Sequence, residues 1–364
     1  MNRFFPEIKK NFGFGCMRLP MAGDQVDLEQ TCRMVDRFLE AGFNYFDTAH
    51  GYIGGQSETA LRHCLTSRHS RDRYILTNKL SPNLFSTAED IRPLFQSQLD
   101  ACGVDYFDFY LMHAMNAKFH AQYQEVGAME VVQALKAEGK IHHIGMSFHD
   151  TAEVLDRILT AWPQIEVVQI QFNYADYSDP NVQSKACYDV CVKHGKPVIV
   201  MEPVKGGSLV NLPRKALDLL TGGSPASYAI RFAASPSQMM MVLSGMSNID
   251  QMEDNISYMA DFKPLTQEEY DLIGQVRTLY QAQHRIPCTA CRYCVDGCPA
   301  GIPIPDLFAA FNNLRQGKEG AAEGYHAAPA RGADCVDCGQ CEGICPQNLQ
   351  IRQLLKAVDE AFAG

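Results

Sequence analysis

The stretch "FDTAHGY", residues 46–52, closes an apolar run with an acid, a histidine and a tyrosine. A tyrosine hydroxyl is a weak acid at neutral pH, with an ordinary pKa of about 10, but a neighbouring ammonium stabilises the phenolate it leaves behind. Lys79, at the end of the apolar run "YILTNK", can supply that charge. Asp47 would pair with Lys79 and keep it protonated and in place. His113, closing "FDFYLMH", could donate a hydrogen bond to a carbonyl oxygen, which Tyr52 would protonate as hydride arrives at carbon. Ser147 closes "HHIGMS" and Gln169 lies within "VVQIQFNY". Singly, each residue has a plainer reading as a strand end, a satisfied core histidine or a loop former. Their joint arrival at the ends of three consecutive apolar runs favours a proton-donating unit.

A second chemistry lies near the end of the chain. Residues 288–299 read "CTACRYCVDGCP" and residues 335–346 read "CVDCGQCEGICP", two C-x2-C-x2-C-x3-C-P runs. Zinc sites use four ligands and need neither the triple spacing nor the proline; the double run is the signature of a two-cluster ferredoxin, whose fourth cysteine ligates the other cluster. Two [4Fe-4S] clusters are therefore expected, one on Cys288, Cys291, Cys294 and Cys345, the other on Cys335, Cys338, Cys341 and Cys298. Between the runs, Ile304, Leu307, Phe308, Phe311 and Leu314 share one helical face, which points to an α-helical iron-sulfur domain. The remaining six cysteines, Cys16, Cys32, Cys64, Cys102, Cys187 and Cys191, are scattered and read as buried free thiols.

The elements that must hold the first group repeat along the chain. Eight short apolar runs, from "GFGCM" to "MMMVLSGM", alternate over the first 250 residues or so with segments of helical spacing such as "LEQTCRMVDRFLEAG". Continuous apolar strands joined by helices imply a parallel sheet, and eight such units match a closed (β/α)8 TIM barrel with its active site at the carboxyl ends of the strands. An open doubly wound sheet is the alternative, but no G-x-G-x-x-G follows the first run. The fold expected is α/β, with a (β/α)8 barrel over residues 1–280 and a small α-helical ferredoxin-like domain over 281–364.

Composition sets the surroundings. A net charge of −10 without a basic block argues against nucleic acid or anionic lipid as partner. No apolar stretch reaches the ~18 residues of a membrane span, and "MNRFFPEIKK" lacks the apolar core of a signal peptide. The expected location is the cytoplasm.

These motifs resemble the aldo-keto reductases over nearly all of residues 10–280. "FDTAHGYIGGQSETALRHCL" is similar to that family's aspartate and tyrosine stretch, "ILTNKL" to its lysine stretch, and "SQLDACGVDYFDFYLMH" to its helix, strand and histidine. The resemblance implies a catalytic tetrad of Asp47, Tyr52, Lys79 and His113, with Ser147 and Gln169 at the nicotinamide. It further implies cofactor positions at Cys16, Met17, Glu202, Val204 and Ser244, with Gly245 and Ser247 at a phosphate and Gln251 and Asn255 nearer the adenine. Two positions depart from many members: Phe148 replaces an asparagine, and Asn248 replaces an arginine that would pair with a 2'-phosphate. The implied cofactor is NADP(H) or NAD(H). The whole chain resembles the iron-sulfur-bearing branch of the family, so the expected activity is reduction of a small aldehyde, ketone or quinone, with an electron-transfer protein as a possible partner of the clusters. Phe148, His149, Tyr174, Tyr177 and Lys205 are candidates for the pocket rim. The rival reading is an electron-transfer or assembly protein whose barrel binds nucleotide without turnover.

Overall fold

A computed structural model describes residues 4–363. These residues form ten strands: β1 Phe12–Gly15, β2 Met21–Ala22, β3 Gln25–Val26, β4 Tyr45–Asp47, β5 Ile75–Leu80, β6 Phe107–Met115, β7 Ile141–Phe148, β8 Val167–Gln171, β9 Val198–Met201 and β10 Met239–Ser244. Eight of them close into a parallel barrel in the order β1-β10-β9-β8-β7-β6-β5-β4, matching the eight apolar runs one for one. The hairpin β2-β3 is additional; two-residue strands leave no periodic trace to read.

Alternation along each strand sends every second side chain into the barrel. Tyr45, Ile75, Phe109, Leu111, Val167, Ile199, Met241 and Leu243 pack there as one apolar cluster. Phe5 and Ile8 join it, with Phe5 edge-on to Phe109 at 5.1 Å, so the N-terminal segment plugs the floor. Large residues need small ones opposite: a Cβ on Gly145 would fall 2.4 Å from Leu111 Cδ2 and 2.6 Å from Val167 Cγ1. Surface helices bury one stripe each. In Leu28–Glu40, Asp27 caps by accepting from Gln30 N, and Met34, Val35, Phe38 and Leu39 face inward.

By compactness the chain divides into two units. The first comprises residues 1–178, 183–203 and 226–265 and contains the barrel; the second comprises 179–182, 204–225 and 266–364. The second unit is helical, with the helix Ile304–Arg315 packed in a core of Ile302, Ile304, Leu307, Phe308, Leu355 and Val358. Phe311 is half-buried, while Leu314 at the helix end is exposed.

One expectation is corrected. Cys32 and Cys64 are not free thiols: they form a disulfide with Cα atoms 4.5 Å apart. Their separation of 32 residues carries no sign of this approach, which follows from packing of the helix Leu28–Glu40 against the turn Arg62–Thr66. Cys16, Cys102, Cys187 and Cys191 are free and buried.

Candidate active site

At the carboxyl ends of the strands the inward positions change from apolar to polar. Asp47 follows Tyr45 by two residues, Lys79 follows Thr77, His113 follows Leu111, Ser147 follows Gly145 and Gln169 follows Val167, so a shared parity brings all five to one mouth.

Lys79 is fully buried. Its Nζ donates to Asp47 Oδ1 at 2.6 Å and to the Thr48 carbonyl at 2.7 Å. Burial pushes the Asp47 carboxyl up and the Lys79 ammonium down, and the attraction within the pair opposes both shifts. Lys79 Nζ lies 4.9 Å from the centroid of the Tyr52 ring. The imidazole of His113 stands edge-on to the same ring, with centroids 6.2 Å apart. Burial, then the Lys79 charge, holds His113 far below its ordinary pKa, so it is neutral.

The Tyr52 loop is pinned from both sides. His50 Nδ1 lies 2.8 Å from Glu58 Oε2, and Asn78 Nδ2 donates to Glu58 Oε1 at 2.7 Å. Between them Ile53 adopts φ 54°, a left-handed conformation costly for a β-branched residue, followed by Gly54 at 60° and Gly55 at 86°. Sequence reading missed Glu58 and also Ser81, whose Oγ is 2.6 Å from His113 Nδ1. Ser81 was recoverable from parity, two residues beyond Lys79.

The cofactor candidates spread along the adjoining strand ends. Ser147 Oγ accepts from Ala114 N at 2.9 Å, which leaves its hydroxyl proton to be donated elsewhere. Ser244 Oγ donates to Asn255 Oδ1 at 2.9 Å, and Ser247 N donates to Gln251 Oε1 at 2.8 Å. Asn248 is the N-cap of the helix Ile249–Met259, accepting from Gln251 N, so the position lacking an arginine has a local structural role. Arg18 is a cation the sequence reading overlooked: its Cδ would lie 3.3 Å from a Cβ on Gly245, and its carbonyl accepts from Ser247 Oγ at 3.0 Å. Cys16, buried within reach of the Asp47 and Lys79 charges, and Met17 belong to the same short turn as Arg18. Glu202 has φ 57° just past β9, while Val204 falls in the second unit. Among the rim candidates, Phe148 and Tyr174 are buried. Two polar atoms at the mouth, Asp47 Oδ2 and Gln171 Nε2, are buried without a hydrogen bond among the described residues, a pattern that suits a bound polar ligand.

The cysteine runs fold into two cavities in the second unit. One is lined by Cys288, Cys291, Cys294 and Cys345, the other by Cys298, Cys335, Cys338 and Cys341. Among the described residues no three His, Cys, Asp or Glu side chains approach closely enough to hold a single metal ion. Four cysteines around each cavity supply the thiolate set of a [4Fe-4S] cluster.

Comparison with known proteins gives two family matches: the aldo/keto reductase family over residues 11–278, and a 4Fe-4S dicluster domain over residues 287–349. An NADH-specific methylglyoxal reductase of Escherichia coli K12 is 25% identical, aligned over 61% of this chain and 81% of its own. L-galactose dehydrogenase of Arabidopsis thaliana is 24% identical, over 71% and 87%. Among solved structures, a Bacillus halodurans aldo-keto reductase in its holo form superposes with a TM-score of 0.60 at 25% identity, covering 74% of this chain and 92% of that one. A Klebsiella pneumoniae aldo-keto reductase in complex with NADPH gives 0.61 at 20% identity, covering 74% and 90%.

Proposed function

The chain belongs to the aldo/keto reductase family and carries a C-terminal dicluster domain, and from that premise we propose that it reduces a small carbonyl compound with Tyr52 as general acid. The observation that carries this reading is the buried Lys79–Asp47 pair beneath the Tyr52 ring, with neutral His113 beside it. The bound reduced nicotinamide would supply hydride. His113 orients the substrate oxygen by a hydrogen bond, Tyr52 gives that oxygen its proton, and Lys79 stabilises the phenolate that remains. Asp47 keeps the ammonium charged and in place.

Ser147 and Gln169 would hold the nicotinamide, with Cys16, Met17, Glu202 and Ser244 along its path and Gly245, Ser247, Gln251 and Asn255 at the adenosine half. Arg18 beside Gly245 offers the positive charge that Asn248 lacks, which supports NADPH. The NADH-specific relative supports the other choice. Fluorescence titration with both cofactors decides between them. The two cysteine quartets would each hold a [4Fe-4S] cluster, which moves single electrons when bound. The matched ranges, 11–278 and 287–349, support a functional division at residue 280. Cytoplasmic location suits eight thiol ligands; no helix among the described residues is long and apolar enough to cross a membrane.

Tyr52→Phe is the test. Turnover of NAD(P)H with aldehydes or quinones should fall by about 10²- to 10⁴-fold while cofactor affinity is kept. Equal activity in the variant would overturn Tyr52 as the general acid, whereas a wild-type protein that binds NAD(P)H but turns over no carbonyl would support the nucleotide-binding alternative.

A further inference from the structure

The two cysteine runs repeat one another, and the repeat exposes a difference. Aligned on Cys298 and Cys345, both continue with proline, and Gln347 then stands where the other run has Ala300. Each turn closes with the same hydrogen bond, Gly301 N to Cys298 O at 3.0 Å and Asn348 N to Cys345 O at 3.1 Å. Ala300 lines the cavity of Cys298, Cys335, Cys338 and Cys341; Gln347 lines that of Cys288, Cys291, Cys294 and Cys345. Both cavities also carry an arginine in an ion pair, Arg292 with Asp306 and Arg352 with Glu342, so these do not distinguish them.

Gln347 is 5% exposed and its amide has a fixed sense. Lys205 Nζ lies 3.3 Å from Gln347 Oε1, and an ammonium only donates, so the oxygen faces the lysine. Nε2 faces away from it, buried and without a partner among the described residues. Lys205 is itself buried, on a turn pressed against the first cysteine run: it has φ 48°, and a Cβ on Gly206 would fall 2.5 Å from the Thr289 carbonyl oxygen. A buried N–H left unpaired forfeits its hydration without replacement. A sulfur acceptor in the cavity would remove that cost.

Building on the cluster assignment above, we propose that Gln347, anchored by Lys205, donates a hydrogen bond to a sulfur of the cluster held by Cys288, Cys291, Cys294 and Cys345, and thereby raises its reduction potential. A donor directed at a cluster sulfur stabilises the added electron, and the buried ammonium acts in the same sense. The cavity beside Ala300 is also lined by a glutamine, Gln340, but that residue is exposed where Gln347 is buried, so the one-electron couples of the two clusters are tuned separately.

The test is a potentiometric titration of the anaerobic full-length protein followed by EPR. Wild type should contain about eight irons and show two one-electron waves. Gln347→Met, of similar length but without a donor, should move one wave to lower potential and leave the other in place. Lys205→Met should move the same wave in the same direction, and it decides the matter if Gln347→Met loses iron. Full iron content with unmoved midpoints in the decisive variant, or an equal shift of both waves, overturns the proposal. A wild-type chain that binds no iron overturns the cluster assignment itself, a separate failure.

Discussion

The hydrogen bond between Ser81 Oγ and His113 Nδ1 must run in one direction for the proposed reaction. A neutral imidazole has a single N–H, and His113 is held neutral by burial and the Lys79 charge. To donate from Nε2 to a substrate oxygen, Nδ1 must accept, so the Ser81 hydroxyl donates. Ser81→Ala should therefore lower kcat about tenfold, the worth of one good hydrogen bond, with cofactor affinity unchanged and Ser81→Thr restoring the rate. Nitrogen-15 NMR of His113 should show the Nε2–H tautomer in wild type and a mixture in Ser81→Ala; an unchanged spectrum would remove the role. At this scale the sequence was readable where a residue ends an apolar run, as Asp47, Lys79 and His113 do. Ser81 shares their parity, two residues beyond Lys79, but lies past the end of its run; Arg18 carries no such mark, because its approach to Gly245 joins distant segments.

Among the elements, the segment from His50 to Glu58 turns the Tyr52 ring toward Lys79 and is itself tied by the His50–Glu58 contact. That contact raises the His50 pKa above its ordinary 6.5, against the opposing effect of burial. A raised folded-state pKa contributes stability that is fully present below 6.5 and is lost as pH rises through the raised value. Thermal melts of wild type and His50→Gln should differ most below pH 6.5 and converge toward pH 9. A difference that is constant over that range would place the contribution in packing rather than charge. The barrel strands were legible as eight apolar runs because burial on both faces makes a parallel strand continuous in hydrophobicity. Neither the hairpin Met21–Val26 nor the Cys32–Cys64 bridge had such a signature, since two-residue pairing and the meeting of two distant helical segments leave no periodicity.

For the whole molecule the question is how two electron currencies coexist. Nicotinamide passes two electrons as hydride, each cluster passes one, and no residue pattern here identifies a flavin to divide the pair. Anaerobic protein should thus give a reduced-cluster EPR signal with dithionite and none with NADPH alone; rapid reduction by NADPH would reveal an additional redox group. The two-part organisation was legible because each part has its own signature, apolar repeats for the barrel and cysteine spacing for the helical unit. Not legible was the recruitment of residues 204–225, Lys205 among them, into the second compact unit, since nothing local marks that stretch as belonging to it. The crossing of cysteines between the two cavities also bears on how the protein is made. With Cys345 lining the cavity of the first run and Cys298 that of the second, neither quartet is complete on a nascent chain until the second run has left the ribosome. All eight barrel strands have by then been synthesised, so insertion of the proposed clusters would fall after translation of the barrel, and a chain truncated before Cys335 would keep the residues of the proposed reductase site yet have no complete quartet to offer a cluster-delivery system.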